Sequence, residues 1–161
     1  MSTSNVKRDL DGTDARLLLA LIDEPDATTV ALAQRLGVSR NTVQSRLQKL
    51  SAHTLESFQR RISPRSMGYE VEAFMNASIR QGYDHQTMKA LSEIPEVLEI
   101  FATTGDADLR ITVTALSTDD LYRVNRLILD IPGIVRTSTS VVLREFLSYR
   151  TKPLLRRIIE Q

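Results

Sequence analysis

Cysteine is absent from this 161-residue chain, and its absence removes several chemistries at once. No disulfide framework, thiolate nucleophile or cysteine-ligated zinc or iron–sulfur centre can form. Long hydrophobic runs are missing too. The longest, Leu17–Ile22, is far short of the roughly 20 residues that span a bilayer. The opening residues Met1-Ser2-Thr3-Ser4-Asn5 are polar, and Lys7 and Arg8 lead into no apolar core, so no secretory signal is expected. These features predict a cytoplasmic protein with no membrane partner. Neither sign of charge is in excess, with 21 Lys and Arg against 20 Asp and Glu and a formal net charge of +1. What remains, 42% hydrophobic and 25% charged, is the composition of an ordinary globular protein with one domain or two small ones.

The balance of charge is not even along the chain. Residues 35–65 carry Arg35, Arg40, Arg46, Lys49, Arg60, Arg61 and Arg65 against Glu56 alone, whereas residues 66–161 are slightly acidic. A basic segment joined to an acidic remainder suggests two modules, one of which meets a polyanion; a merely solvated basic surface is the plainer alternative.

Periodicity divides the chain at the same place. Asp11 or Thr13 can cap a helix running through Ala15–Ile22 and stopping near Pro25. Thr28 can cap a second helix, Val30–Leu36, and Ser39 a third, from Arg40 to about Ala52. Leu55–Ile62 reads as a small β-wing or linker strand, and Pro64–Gly68 as the boundary, giving domains at 1–63 and 64–161. The second domain reads as a strand (Val71–Ile79), a helix (His85–Ile94), a strand (Val97–Thr103) and a strictly alternating strand (Leu109–Ala115). Ser117-Thr118-Asp119-Asp120 then opens a helix with Leu121, Val124 and Ile128 on one face, and Ile134–Tyr149 is a long final strand. The order β-α-β-β-α-β is that of the ferredoxin-like split unit, so the fold class is α+β. A short amphipathic tail with Leu154, Leu155, Ile158 and Ile159 ends the sequence.

The strongest local pattern spans Val30–Leu47. Two crossing helices need a small residue at their contact, which Ala33 supplies, and a residue tolerant of positive φ in the turn, which Gly37 supplies. Leu32, Leu36, Val38, Val43 and Leu47 form a shared core, although Arg46 stands where the commonest helix-turn-helix template has its last apolar residue. On the third helix, Val43, Leu47 and Leu50 share one face. Asn41, Gln44, Ser45 and Gln48 cluster opposite them, with Arg40 at the N-terminal edge. A recognition helix presents its N-terminal residues to the bases, and Asn or Gln amides pair bidentately with adenine. The candidate contacts to double-stranded DNA are therefore Arg40, Asn41, Gln44, Ser45 and Gln48, with Ser39 and Thr42 at the helix start. Arg35, Arg46 and Lys49 are expected on phosphates, and Arg60, Arg61 and Arg65 extend that track.

A winged helix-turn-helix followed by a β-α-β-β-α-β module resembles the Lrp/AsnC family of bacterial and archaeal transcription factors. Leu10-Asp11-Gly12-Thr13-Asp14 resembles the family's opening, and Leu32–Ser39 its helix-turn-helix. Gly105-Asp106-Ala107-Asp108-Leu109, Pro132-Gly133-Ile134 and Thr137-Ser138-Thr139 resemble three signatures of its effector domain. One stretch departs from the pattern. After the third helix the family has a Gly that is missing here, and Leu50–Phe58 is one residue short, which removes the easy left-handed helix stop.

The resemblance implies a sequence-specific regulator whose assembly and DNA binding respond to a small effector, an amino acid. The implied effector site is Thr103, Thr104, Gly105, Asp106, Ala107 and Asp108 with Thr137 and Thr139. Gly105 lets backbone N–H groups approach a carboxylate, Asp106 or Asp108 can accept from an ammonium, and the Thr hydroxyls complete the cluster. On composition alone, Gly105-Asp106 suits a plain hairpin turn equally well. Self-association is expected as well. One open sheet face and a final strand with Val141, Val142, Leu143, Phe146 and Leu147 favour a two-fold dimer, which the family assembles to octamers or open rings.

Two alternatives stand beside this reading. An architectural protein would bind DNA with no effector. A siroheme-decarboxylase-like enzyme would use histidine, but only His53 and His85 exist, one in each module. No catalytic triad, paired-carboxylate motif, Walker loop or metal-ligand spacing occurs, and Asp106 with Asp108 supplies too few ligands for Ca²⁺. The expectation is a protein that is not an enzyme and holds no cofactor or metal.

Overall fold

Asp11 begins the first helix in a computed structural model that describes residues 10–56, 60 and 62–160. Its carboxylate accepts the N–H groups of Thr13 and Asp14, and the Asp14 carboxylate reaches back to the Asp11 N–H, closing a reciprocal capping box. Helix α1 (Gly12–Asp23) is followed by α2 (Thr29–Leu36), capped by Thr28, and α3 (Arg40–His53), capped by Ser39. Between α2 and α3 the chain reverses at Gly37, whose φ of 67° is the left-handed conformation that glycine adopts without strain. Leu17, Leu32, Val43 and Leu50 are almost fully buried, and Ala33 packs with them. Leu36, Val38 and Leu47 lie at the margin of the same core.

Helix α3 ends without glycine. Thr54 stays in the right-handed region, and its N–H and that of Leu55 both bond to the Leu50 carbonyl. The expected strand over Leu55–Ile62 is not formed by Leu55, Glu56, Arg60 or Ile62, and residues 57–59 and 61 lie outside the described residues.

The chain divides into two units, residues 1–58 with 147–161, and residues 59–146. The expected domain 64–161 therefore needs correcting, because helix α6 (Lys152–Ile159) belongs to the first unit. The reason is visible in α1. Leu17–Ile22 is apolar nearly all round, and α2 and α3 cover only part of it. Leu155 and Ile158 join that core, and the Lys152 ammonium bonds to Asp23 at 2.6 Å.

In the second unit a short 3₁₀ turn (Pro64–Met67) precedes β1 (Val71–Ile79), α4 (Asp84–Ser92), β2 (Val97–Ala102), β3 (Leu109–Ala115), α5 (Thr118–Leu129) and β4 (Ile134–Val141). The four strands form an antiparallel sheet in the order β2-β3-β1-β4. Alternation does what it predicts. Ala73, Met75 and Ala77 of β1 and Leu109, Ile111 and Val113 of β3 are buried against Leu91, Leu121, Val124 and Ile128 of the helices. The opposite face carries Phe74 with Arg110 stacked over its ring, 4.2 Å from the centroid. At the start of β4 only glycine fits, since a Cβ on Gly133 would lie 2.5 Å from the Thr87 hydroxyl oxygen.

The last strand is shorter than expected. It stops at Val141, not Tyr149: past the Ala73–Val141 pair, β1 has only Glu72, whose carbonyl accepts the Val142 N–H, and Val71 before it ends. Leu143, Phe146, Leu147 and Tyr149 are exposed in the segment that follows.

The buried Leu155 side chain gives a direct check on α6. Leu155→Ala should destabilise the helical unit by about 2–5 kcal/mol, and Leu154→Ala, at an exposed position, by less than about 0.5 kcal/mol. Denaturant titration of the full chain measures both, and equal small effects would mean that α6 does not pack on α1.

Candidate functional site

The outer surface of α3 follows from its inner one. With Val43 and Leu50 fully buried and Leu47 partly so, the 3.6-residue period turns Asn41, Gln44, Ser45 and Gln48 outward, and all four are exposed. Arg40 and Lys49 are exposed at either side. Among the described residues, none of these six side chains is engaged in a hydrogen bond or ion pair. They form a polar strip with free amides, a hydroxyl and two cations, the donor and acceptor set suited to base edges and phosphates.

Other expected contacts are committed elsewhere. The Ser39 hydroxyl accepts the Thr42 N–H at 3.1 Å and bonds to the Thr42 hydroxyl at 2.8 Å, so both residues start the helix. Arg35 pairs with Asp23 at 3.1 Å and Glu24 at 3.9 Å, on an exposed surface where such pairs are weak. Arg46 is the clearest departure. Its Nη1 donates to both Asp11 carboxylate oxygens (2.9 and 2.7 Å) and to Asp14 Oδ1 (2.6 Å), and its side chain is only 29% exposed. The guanidinium pKa is raised by these bonds. Arg60 falls in the second unit and pairs with Glu99, Arg65 is exposed in that unit's 3₁₀ turn, and Arg61 lies outside the described residues.

The expected effector loop lies between β2 and β3. It closes on itself through Thr103 N–H to Asp108 O (2.9 Å) and Thr103 Oγ1 to Ala107 O (2.9 Å). Gly105 sits at φ 114°, which permits the reversal. The two carboxylates separate in role. Asp108 Oδ2 accepts the Ile79 N–H at 2.8 Å and the Asp108 N–H donates to Ala77 O, which ties the loop to the bulged end of β1. Asp106 is exposed, and its carboxylate has no partner among the described residues. Thr103, Thr104 and Gly105 are exposed as well, and Ala107 is partly buried.

Thr137 stands opposite Ala77, the residue that also faces Leu109, so it shares an end of the sheet with the loop but lies two strands from β3. Its hydroxyl bonds to Asn125 Oδ1 at 3.2 Å, and Thr139 is exposed one inward-facing position farther along β4. Two residues at this end escaped the sequence reading, Asn125 and Arg136. The Arg136 Nη2 donates to the Asp106 carbonyl at 3.4 Å and bridges β4 to the loop. A single cation within the Thr-Ser run of β4 was the available signal.

Comparison with known proteins agrees with both halves. Residues 10–51 match the AsnC-type helix-turn-helix domain, and residues 72–151 match the Lrp/AsnC ligand binding domain. The chain is 30% identical over 148 residues to the regulatory protein AsnC of Escherichia coli K12, covering 89% of this chain and 97% of that one. The E. coli AsnC structure superposes with a TM-score of 0.80 at 29% identity, over 89% of this chain and 99% of the other. A transcriptional regulator from Neisseria meningitidis, solved as a complex with L-Met, gives 0.75 at 28% identity over 86% and 93%. A feast or famine regulatory protein from M. tuberculosis complexed with L-methionine gives 0.76 at 28% identity over 88% and 97%.

The first turn of α1 has an acid-sensitive contribution. The Asp11 carboxyl is held below its usual 3.8, first by the Asp14 N–H and then by the Arg46 guanidinium. A carboxylate lowered on folding adds stability that is complete above its unfolded value and lost as pH falls through the folded one. Asp11→Asn keeps a good cap but no charge, so the stability difference between wild type and variant should shrink below pH 3.8. A difference independent of pH across that range would contradict the ion pair.

Proposed function

The chain belongs to the Lrp/AsnC family of transcriptional regulators, and on that premise we propose which residues read DNA and what the protein senses. It is a DNA-binding regulator with a helix-turn-helix unit and a ferredoxin-like α+β unit. The reading helix is α3, with Asn41, Gln44, Ser45 and Gln48 on bases and Arg40 and Lys49 on phosphates. The observation that carries this assignment is that these side chains are exposed and unpartnered while Val43 and Leu50 hold the other face in the core. The protein acts in the cytoplasm, where its DNA is, and regulates without catalysing a reaction. Its histidines support that last point, since His53 ends α3 and His85 lies in α4 of the other unit.

The effector is a free amino acid held at the β2–β3 loop. The loop offers the exposed Asp106 carboxylate for an ammonium, and the backbone around Gly105 for a carboxylate. Asp108 shapes the loop and Arg136 steadies it. Two relatives of this fold were solved with L-methionine, which supports an amino acid as the ligand class and makes L-methionine the first probe. Copies of the chain associate, at least as a dimer, through the sheet face opposite α4 and α5, which carries Phe74 and Phe101. Ligand binding then favours one assembly over another and thereby alters DNA occupancy.

Two measurements test these assignments separately. Against a duplex that the wild type selects from a randomised library, Gln44→Ala should cost about 1–3 kcal/mol, with little loss on a scrambled duplex. Lys49→Ala should weaken both alike and reduce the salt slope by about one unit. Equal losses for Gln44→Ala would mean that the reading face is elsewhere. For the effector, the amino acid that raises the melting temperature most should bind Asp106→Ala at least about tenfold more weakly by calorimetry. It should also shift the oligomer distribution in light scattering; unchanged affinity with a monomer throughout would overturn the site.

A further inference from the structure

We infer that Arg46 sets the roll of the recognition helix, and is a specificity-determining positioning residue rather than a phosphate contact. The inference rests on the assignment of α3 as the reading helix. Val43 and Leu50 secure that helix through apolar burial, which is non-directional and so specifies its rotation less sharply than a hydrogen-bonded ion pair does. Arg46 lies at the edge of the same stripe, where one directional contact fixes the rotation. All three of its bonds run through a single nitrogen to Asp11 and Asp14.

The anchor itself is rigid. Asp11 Oδ1 also holds the Thr13 and Asp14 N–H groups, and Asp14 Oδ2 holds the Asp11 N–H, so both carboxylates are fixed by the backbone of α1. The Asp14 side chain is only 2% exposed. A buried carboxylate requires a partner, and Arg46 is its only cation among the described residues. A phosphate would have to draw Arg46 away from that charge. It would also meet a local excess of negative charge, two carboxylates against one guanidinium. Meanwhile Asp11 and Arg46 border the same shallow depression as Asn41, Ser45 and Lys49. A change in the clamp therefore moves the reading side chains directly. It also explains why position 46 carries a cation where the helix-turn-helix template has an apolar residue.

Asp14→Asn separates the two roles by the sign of its effect. This variant keeps the capping-box oxygen and the side-chain volume but removes the charge that holds Arg46. The probes are a duplex that the wild type selects from a randomised library and a scrambled duplex of equal composition, each titrated over a range of salt. Positioning predicts that Asp14→Asn and Arg46→Gln lose about tenfold or more on the selected duplex and little on the scrambled one, with salt slopes unchanged. It also predicts that Arg46→Lys recovers most of the selected-duplex affinity. A phosphate role predicts the reverse: Asp14→Asn binds both duplexes as well as the wild type or better, and Arg46→Gln weakens both and lowers the slope by about one. Full discrimination in Asp14→Asn overturns the inference, and the salt slope decides it for Arg46→Gln. If Arg46→Gln does not fold, Asp14→Asn with Arg46→Lys decides. A wild type that selects no sequence would defeat the DNA assignment itself, an outcome distinct from a selective wild type with indifferent variants.

Discussion

A single buried carboxylate, Asp14, organises the helical unit. Its carboxylate accepts the Asp11 N–H and the Arg46 guanidinium, and the second bond brings the middle of α3 against the first turn of α1. The same residue is half of the capping box that starts α1. Helix initiation and helix–helix orientation are thus joined in one group of three side chains, Asp11, Asp14 and Arg46. The net stability from such a pair is small, because desolvation offsets most of the attraction. Its consequence is geometric: apolar packing of Val43 and Leu50 makes the helices associate, and the ion pair chooses one arrangement among those that would bury them.

Much of this was legible from the residues. The caps Asp11, Thr28, Ser39 and Ser117 stand where the helices start, because a side-chain oxygen before an apolar period has one inexpensive use. The bounds of β1 and β3 match the expected strands, and in β3 the apolar residues Leu109, Ile111 and Val113 that alternate in sequence share the face turned to the helices. At α5 the Ser117 hydroxyl accepts the Asp120 N–H as a cap, and the Asp120 carboxylate accepts the Leu116 N–H.

What could not be read depends on partners distant in sequence. Val142–Tyr149 is apolar enough for a strand, yet strand length is set by the neighbour, and past the Ala73–Val141 pair β1 has only Glu72 and Val71 left to offer. The amphipathic tail signalled a helix but not its destination, which the surplus apolar surface of α1 decided. The sequence shows Arg46 in a basic segment and does not show the two carboxylates it meets, 32 and 35 positions earlier. Asp106 and Asp108 were equivalent on paper. The bulge in β1 at Ser78–Ile79 leaves the Ile79 N–H to be satisfied, and Asp108 alone reaches it.

That division of the two aspartates constrains how any signal is produced. Asp108 holds the loop to β1 and Thr103 closes it, so the loop would need little further ordering to take the proposed ligand. Yet Thr103, Thr104, Gly105 and Asp106 are all exposed. A ligand as small as an amino acid, resting on an open surface, remains mostly in water and binds weakly, because small-molecule sites gain affinity by burying most of the ligand. Tight binding at this loop therefore requires a second surface to close over it, and in the proposed dimer a second copy of the chain is that surface. Under that proposal binding and assembly are one equilibrium, in which a ligand that stabilises the assembly has its own affinity raised by the same factor. The reading face on α3 need not change shape for this to matter. Two recognition helices fixed at a particular separation select half-sites at that separation, so a shift in how copies associate alters which DNA is bound.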